Sequence, residues 1–294
     1  MSTHAAEDHN HDRYFVPAPS AWPFVLTAGL FATIIGVWGY LEDKNIGAIP
    51  IWAGVAIAIF IIFRWIRGVA LESEGGAYNA QVDRTYRWGM SWFIFSEVMF
   101  FGAFFGALFY ARNLSVPWLA GEGAKLATNL TLWPGFEAIW PTNGPGGVGG
   151  NFETIPPWGV PFLNTLLLLS SGVTITMAHH ALKDAKRGAC ILWMFATIAF
   201  GAAFLWFQAH EYIESYTELN LKLKSGIYGS TFFMLTGFHG MHVTLGTIML
   251  SVITLRLILG HFKPDSHFGF EGVAWYWHFV DVVWIGLFIF VYVL

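Results

Sequence analysis

The side chains able to do chemistry in this chain lie inside its most apolar stretches. Glu97 stands in Phe-Ser-Glu-Val-Met-Phe-Phe, His239 and His242 in Gly-Phe-His-Gly-Met-His, and His278 and Asp281 in Trp-Tyr-Trp-His-Phe-Val-Asp-Val-Val-Trp. An acid at the centre of a membrane span costs about 2.5–3.5 kcal/mol on insertion scales, so it calls for a partner and a role. Glu97 offers three: a proton carrier, an ion ligand, or a neutral acid hydrogen-bonded within a bundle, with the last as plausible as the other two together. His239 and His242, three apart, share one helix face and could seat a metal. A third ligand would have to come from Glu97, His278 or Asp281, and hydrogen bonding between helices is the simpler role. The His278 imidazole can donate to Asp281 on the same face, and that pair reads first as helix packing and second as a proton relay. On this reading Asp281→Ala strands His278 inside the bundle.

Composition says what must hold these groups. Hydrophobic residues make up 55% of the 294 residues and charged ones 12%, about half the charged share of a soluble domain. That is the profile of a polytopic helical membrane protein. A net charge of −4 gives no nucleic-acid signal, and the single cysteine, Cys190, excludes an intrachain disulfide or a centre built on several thiolates. Residues 1–19 form a polar tail without the pattern of a secretory signal or an Arg-rich transit peptide. Its His4, His9 and His11 read as solvated rather than metal-binding.

Seven apolar spans follow: Ser20 to Tyr40, Ile46 to Phe63, Trp88 to Tyr110, Val160 to Ala178, Gly188 to Ala209, Ser225 to Leu255 and Gly272 to Leu294. The first two form a hairpin over 20–63, a basic connection covers 64–87, and five spans with an outer loop at 111–159 fill 88–294. Pro-Thr-Asn-Gly-Pro-Gly-Gly-Val-Gly-Gly at 141–150 can hold neither helix nor strand. Trp118, Trp133, Trp140 and Trp158 suggest a loop lying along the interface. Of the fifteen Lys and Arg, ten fall on the N-terminal side and five (Lys44, Arg112, Lys125, Lys222, Lys224) on the other. The positive-inside rule therefore puts the N-terminus in the cytoplasm and the C-terminus in the periplasm. The cluster Arg64, Arg67, Arg256, His261 and Lys263 reads as topology anchors, or more sharply as a pocket for anionic phospholipid headgroups.

Four blocks resemble subunit III of the haem–copper cytochrome c oxidases. They are Ser-Glu-Val-Met-Phe-Phe at 96–101; Pro-Phe-Leu-Asn-Thr at 161–165 with Ala-His-His at 178–180; Tyr-Gly-Ser-Thr-Phe-Phe at 228–233 with Thr-Gly-Phe-His-Gly-Met-His at 236–242; and His-Phe-Gly-Phe-Glu at 267–271 with the aromatic run at 274–284. The resemblance covers Trp22 to Leu294. It implies an all-α integral membrane fold in which helices 1–2 splay from a bundle of helices 3–7, with phospholipid in the cleft. It implies a non-catalytic subunit of an aa3-type oxidase that stabilises the redox core, supports proton uptake and packs on subunit I beside subunit II. Haem and copper would sit in those partners, and a larger respiratory supercomplex is open. Glu97 matches the family's buried carboxylate. Arg256, His261, Arg67 and Glu72 match headgroup contacts; His239, His242, Glu271, His278 and Asp281 match structural positions. The match weakens at 64–87, where Leu71 replaces an arginine of the family text. A bacterial inner membrane is expected ahead of a mitochondrial one. The alternatives are the third subunit of a quinol oxidase, or a proton or ion transporter using Glu97 and Asp281. The transporter reading lacks inverted repeats and broken helices. A retinal protein would need a lysine in the last span, which has none.

Overall fold

Glycine lets the first two spans close on each other. In a computed structural model, which describes residues 14–42, 44 and 48–294, α1 (Trp22–Leu41) packs along α2 (Ala48–Glu74). The buried residues of α1 are Gly29, Gly36 and Gly39. A Cβ on Gly54 of α2 would collide with the Gly29 carbonyl and the Thr33 hydroxyl. Lipid gives no hydrophobic drive for helix pairing, so close van der Waals approach of small residues supplies it. His4, His9 and His11 lie outside the described residues.

Helix α2 runs eleven residues past its apolar stretch, and α3 (Ala80–Tyr110) starts eight residues before its own. Most of the connection expected at 64–87 is therefore helical. Arg64, Arg67, Glu72 and Glu74 are good helix formers that hydropathy does not register as helix. Asn79 caps α3, its Oδ1 accepting from Gln81 and Val82 N–H at 3.1 and 3.0 Å. In the short turn between the helices, Tyr78 Oη donates to Glu72 Oε2 at 2.7 Å and receives Tyr86 Oη at 3.1 Å. Burial, then the bonds to Tyr86 and Glu72, push the Tyr78 phenol well above its usual range, so it stays a donor.

The chain divides into two compact units, the first ending at Tyr86 and the second beginning at Arg87. In the second, α3 continues through a π-helical turn (Ala111–Ser115) into α4 (Val116–Leu119), and α5 (Leu126–Leu132) follows. Helices α6 (Val160–Lys183), α7 (Arg187–Thr217), α8 (Gly226–Leu259) and α9 (Phe268–Leu287) then pack as α6 on α7, α7 on α8, α8 on α9 and α9 back on α6. A π-helical segment, Phe288–Val293, ends the chain. Seven helices among the described residues are long and apolar enough to cross a membrane.

The core of the second unit is built around two tryptophans of α9. Trp277 and Trp284 are fully buried, and their Nε1–H groups donate to Ser171 Oγ at 2.8 Å and Thr165 Oγ1 at 2.9 Å on α6. Gly201 on α7 and Gly246 on α8 face the Trp277 ring, each leaving only 2.8 Å for a methyl group. Aromatic side chains carry α3 onto this core: Phe101 lies against His242 and Phe279, and Phe100 against Phe238. The glycine-rich run at 141–150 is turn and bend, with Gly144, Gly147, Gly149 and Gly150 at positive φ. It is pinned to the α7–α8 connection, where Asn220 Nδ2 donates to Gly149 O and Asn151 O at 3.0 and 2.9 Å. Trp140, of the same loop, is partly buried. It packs edge-on to Tyr228, at 5.7 Å between ring centroids.

Candidate functional site: the polar groups within the second unit

Glu97 and His242 meet. Position 97 lies midway along α3 and position 242 midway along α8, and Glu97 Oε2 stands 3.0 Å from His242 Nε2. The other ring nitrogen, Nδ1, donates to the Phe238 carbonyl one turn back, at 2.6 Å. That bond fixes the pair's chemistry. With Nδ1 protonated, a neutral ring offers Nε2 as acceptor, so Glu97 must supply the hydrogen; otherwise the ring is an imidazolium donating to a carboxylate. One proton is held between the two groups in either case. It has no onward path through the imidazole, because Nδ1 ends on a main-chain carbonyl.

His239 faces a different neighbour. Its Nε2 donates to Val280 O at 3.2 Å, and the ring packs against both Phe204 and Trp284. The structure thus sends the two histidines of Gly-Phe-His-Gly-Met-His to separate partners, with no shared focus for a metal. Among the described residues, no helix of this chain comes close at the neighbouring glycines. A Cβ on Gly240 would meet nothing within 4 Å, and one on Gly237 only the Tyr212 hydroxyl at 3.6 Å.

The third pair differs from the sequence expectation. His278 Nδ1 and Asp281 Oδ2 stand 3.6 Å apart, the spacing of an ion pair and too long for a hydrogen bond. The His278 side chain is 46% exposed while Asp281 is buried. Asp281→Ala therefore cannot strand His278 inside the bundle, because the ring lies on its outside with Nε2 3.3 Å from Thr176 Oγ1. Asp281 is instead housed by Gly172, where a Cβ would collide with its carboxylate.

Glu271, in the first turn of α9, pairs with Arg87 at 2.5 Å. Arg256, in the last turn of α8, lies 4.9 Å from the Phe262 ring centroid, and His261 follows that helix's end, exposed. On the first unit, Arg67 is exposed on α2, and Glu72 holds Tyr78.

The sequence did not single out two further features. Glu211 of α7 is 1% exposed and accepts from Tyr292 Oη at 2.6 Å and Gln208 Nε2 at 3.1 Å, while its Oε2 has no partner among the described residues. Hydropathy closed the fifth span just before it, whereas α7 runs to Thr217 and carries it into the core. The second is Arg187, whose guanidinium closes the end of α8 by donating to the Leu257 and Ile258 carbonyls, the first at 3.1 Å.

An all-helical, seven-span membrane protein with its polar side chains closed on one another defines the class. A family model described as cytochrome c oxidase subunit III matches residues 11–294. Relatives named cytochrome c oxidase subunit 3 include those of Marchantia polymorpha, 41% identical over 93% of each chain, and Arabidopsis thaliana, 38% identical over 97% of each. That of Danio rerio is 37% identical over 97% of this chain and 98% of its own. This chain belongs to the cytochrome c oxidase subunit III family.

Proposed function

We propose that this chain is the non-catalytic third subunit of a proton-pumping, aa3-type cytochrome c oxidase. It packs on subunit I beside subunit II, which hold the haem and copper, stabilises that redox core and supports proton uptake. The observation that carries this reading is the Glu97–His242 pair. Its proton is shared within one clamp and stopped at the Phe238 carbonyl, which suits a brace between helices better than a transport path. The buried histidines support the same reading, since His239 and His242 are committed to protein partners rather than facing one another as axial ligands. Phospholipid headgroups are held at the basic helix ends, by Arg256 and His261 on the second unit and by Arg67 on the first. Glu72 contributes indirectly, since its carboxylate already takes the Tyr78 hydroxyl. The membrane is a bacterial inner membrane, with the N-terminus in the cytoplasm.

The test is a gentle-detergent purification on a tag carried by this chain, with an optical spectrum and metal analysis of what accompanies it. Haem and copper should co-purify, and should stay with a larger partner when this chain is stripped away. A chain that emerges alone and colourless, yet moves protons in liposomes, sinks the proposal and makes Glu97 the prime site of a transporter.

A further inference from the structure

One group of side chains brings Glu271 together with two histidines outside the pairs above. His179 lies near the C-terminal end of α6, His267 immediately before α9, and Glu271 one turn into it. The two imidazoles present their Nε2 atoms to each other at 3.2 Å, and one ligand atom from each of the three residues lies within 4.8 Å of the others. All three are partly buried. The His267 ring has no other hydrogen-bond partner among the described residues, and its Nδ1 is sealed from solvent. Neither nitrogen of that ring is therefore tied to a carbonyl or carboxylate that would fix its tautomer. Glu271 pairs with Arg87 through Oε1 and offers a carboxylate oxygen within 4.8 Å of the two imidazoles.

We propose that His179, His267 and Glu271 bind a divalent transition-metal ion, zinc by the nature of the donors, clasping the end of α6 to the start of α9. Two imidazoles and a carboxylate are a zinc donor set that leaves a fourth position for water. The spacing fits as well. Ligands about 2.0–2.1 Å from a tetrahedral zinc stand about 3.3–3.4 Å apart, close to the observed separation of the two ring nitrogens. Without an ion, only one of the facing nitrogens can carry the hydrogen of a bond between them. With one, both lone pairs are used. Arg87, bonded to Glu271, and Lys183, near enough to His179 to act on it through space, are the cations that oppose binding. They weaken binding, so the ion should be removable by a chelator. The site lies wholly within this chain and does not depend on the proposed proton-uptake or lipid roles.

The complex purified on this chain is stripped with chelator, dialysed against micromolar zinc chloride, and its zinc counted per complex. The expected result is one zinc equivalent fewer in His267→Gln and in His179→Gln than in the wild type, with zinc sites elsewhere cancelling in the difference. Equal zinc in all three preparations overturns the site. Should either variant fail to assemble, zinc-edge anomalous scattering from the zinc-soaked wild-type complex decides. A peak between the two imidazoles supports the clasp, and no peak there at saturating zinc refutes it.

Discussion

Glu97 and His242 set what a mutation can do at this point of the bundle. Glutamine at 97 keeps the length of glutamate and offers an amide N–H to His242 Nε2, so the clamp survives. Glu97→Gln should assemble and keep most of its initial turnover, with a melting temperature near that of the wild type. Complete loss of initial turnover in a normally assembled complex would count against a bracing role. Glu97→Leu removes the hydrogen and leaves His242 Nε2 buried without a partner, at a cost of about 1–3 kcal/mol. It should lower the retention of this chain on heating in detergent. The presence of these groups was legible in the sequence, because each violates the hydropathy of its span. Their partners were not. Pairing across 145 positions depends on helix rotation, and His239 and His242 share a face in principle yet point to different neighbours. Glu211 escaped for the opposite reason: it sits where hydropathy had already ended the helix, so nothing marked it as buried.

At the scale of elements, the seven spans could be counted from hydropathy, but their ends could not be located. Helices α2, α3 and α7 all extend through polar residues that form helix as readily as apolar ones do. Which glycines matter was likewise invisible, since it depends on what lies opposite. Gly237 and Gly240 flank the histidine motif, but the close approaches are made by Gly201 and Gly246, between which the Trp277 ring is slotted. Gly201→Ala pushes a methyl group into a ring that is fully buried and anchored to Ser171. Overpacking of this kind costs about 1–3 kcal/mol. The variant should dissociate from its complex at lower temperature or detergent concentration. Gly240→Ala, with open space before it, is the matched control and should behave as wild type or slightly better, given the helix preference of alanine over glycine. Equal losses in both would show that the Trp277 slot is not what the glycine serves.

At the scale of the whole molecule, the distribution of charge carries a prediction about the membrane. If the positive-inside rule governs insertion here, the ten basic residues of the N-terminal tail and one set of connections, against five in the other, predict the turn between α2 and α3 in the cytoplasm and the 111–159 loop outside. The chain is well suited to testing this with thiols, because its one cysteine, Cys190, is fully buried. Ser73 on the exposed end of α2 and Ala124 in the outer loop are both solvent-facing, and each accepts a cysteine with little change in size. In intact cells or right-side-out vesicles, a membrane-impermeant maleimide should label Ala124→Cys at once and Ser73→Cys only after permeabilisation, with the parent chain silent throughout. The orientation also decides where zinc would have to be supplied. His179, His267 and Glu271 lie at the same helix ends as Lys183, Lys186, Arg187, Arg256 and Lys263, so the clasp would draw its ion from the cytoplasm. The reverse labelling pattern would invert the protein and put that site on the outside, and it would mean that the basic residues at the helix ends do not govern insertion here.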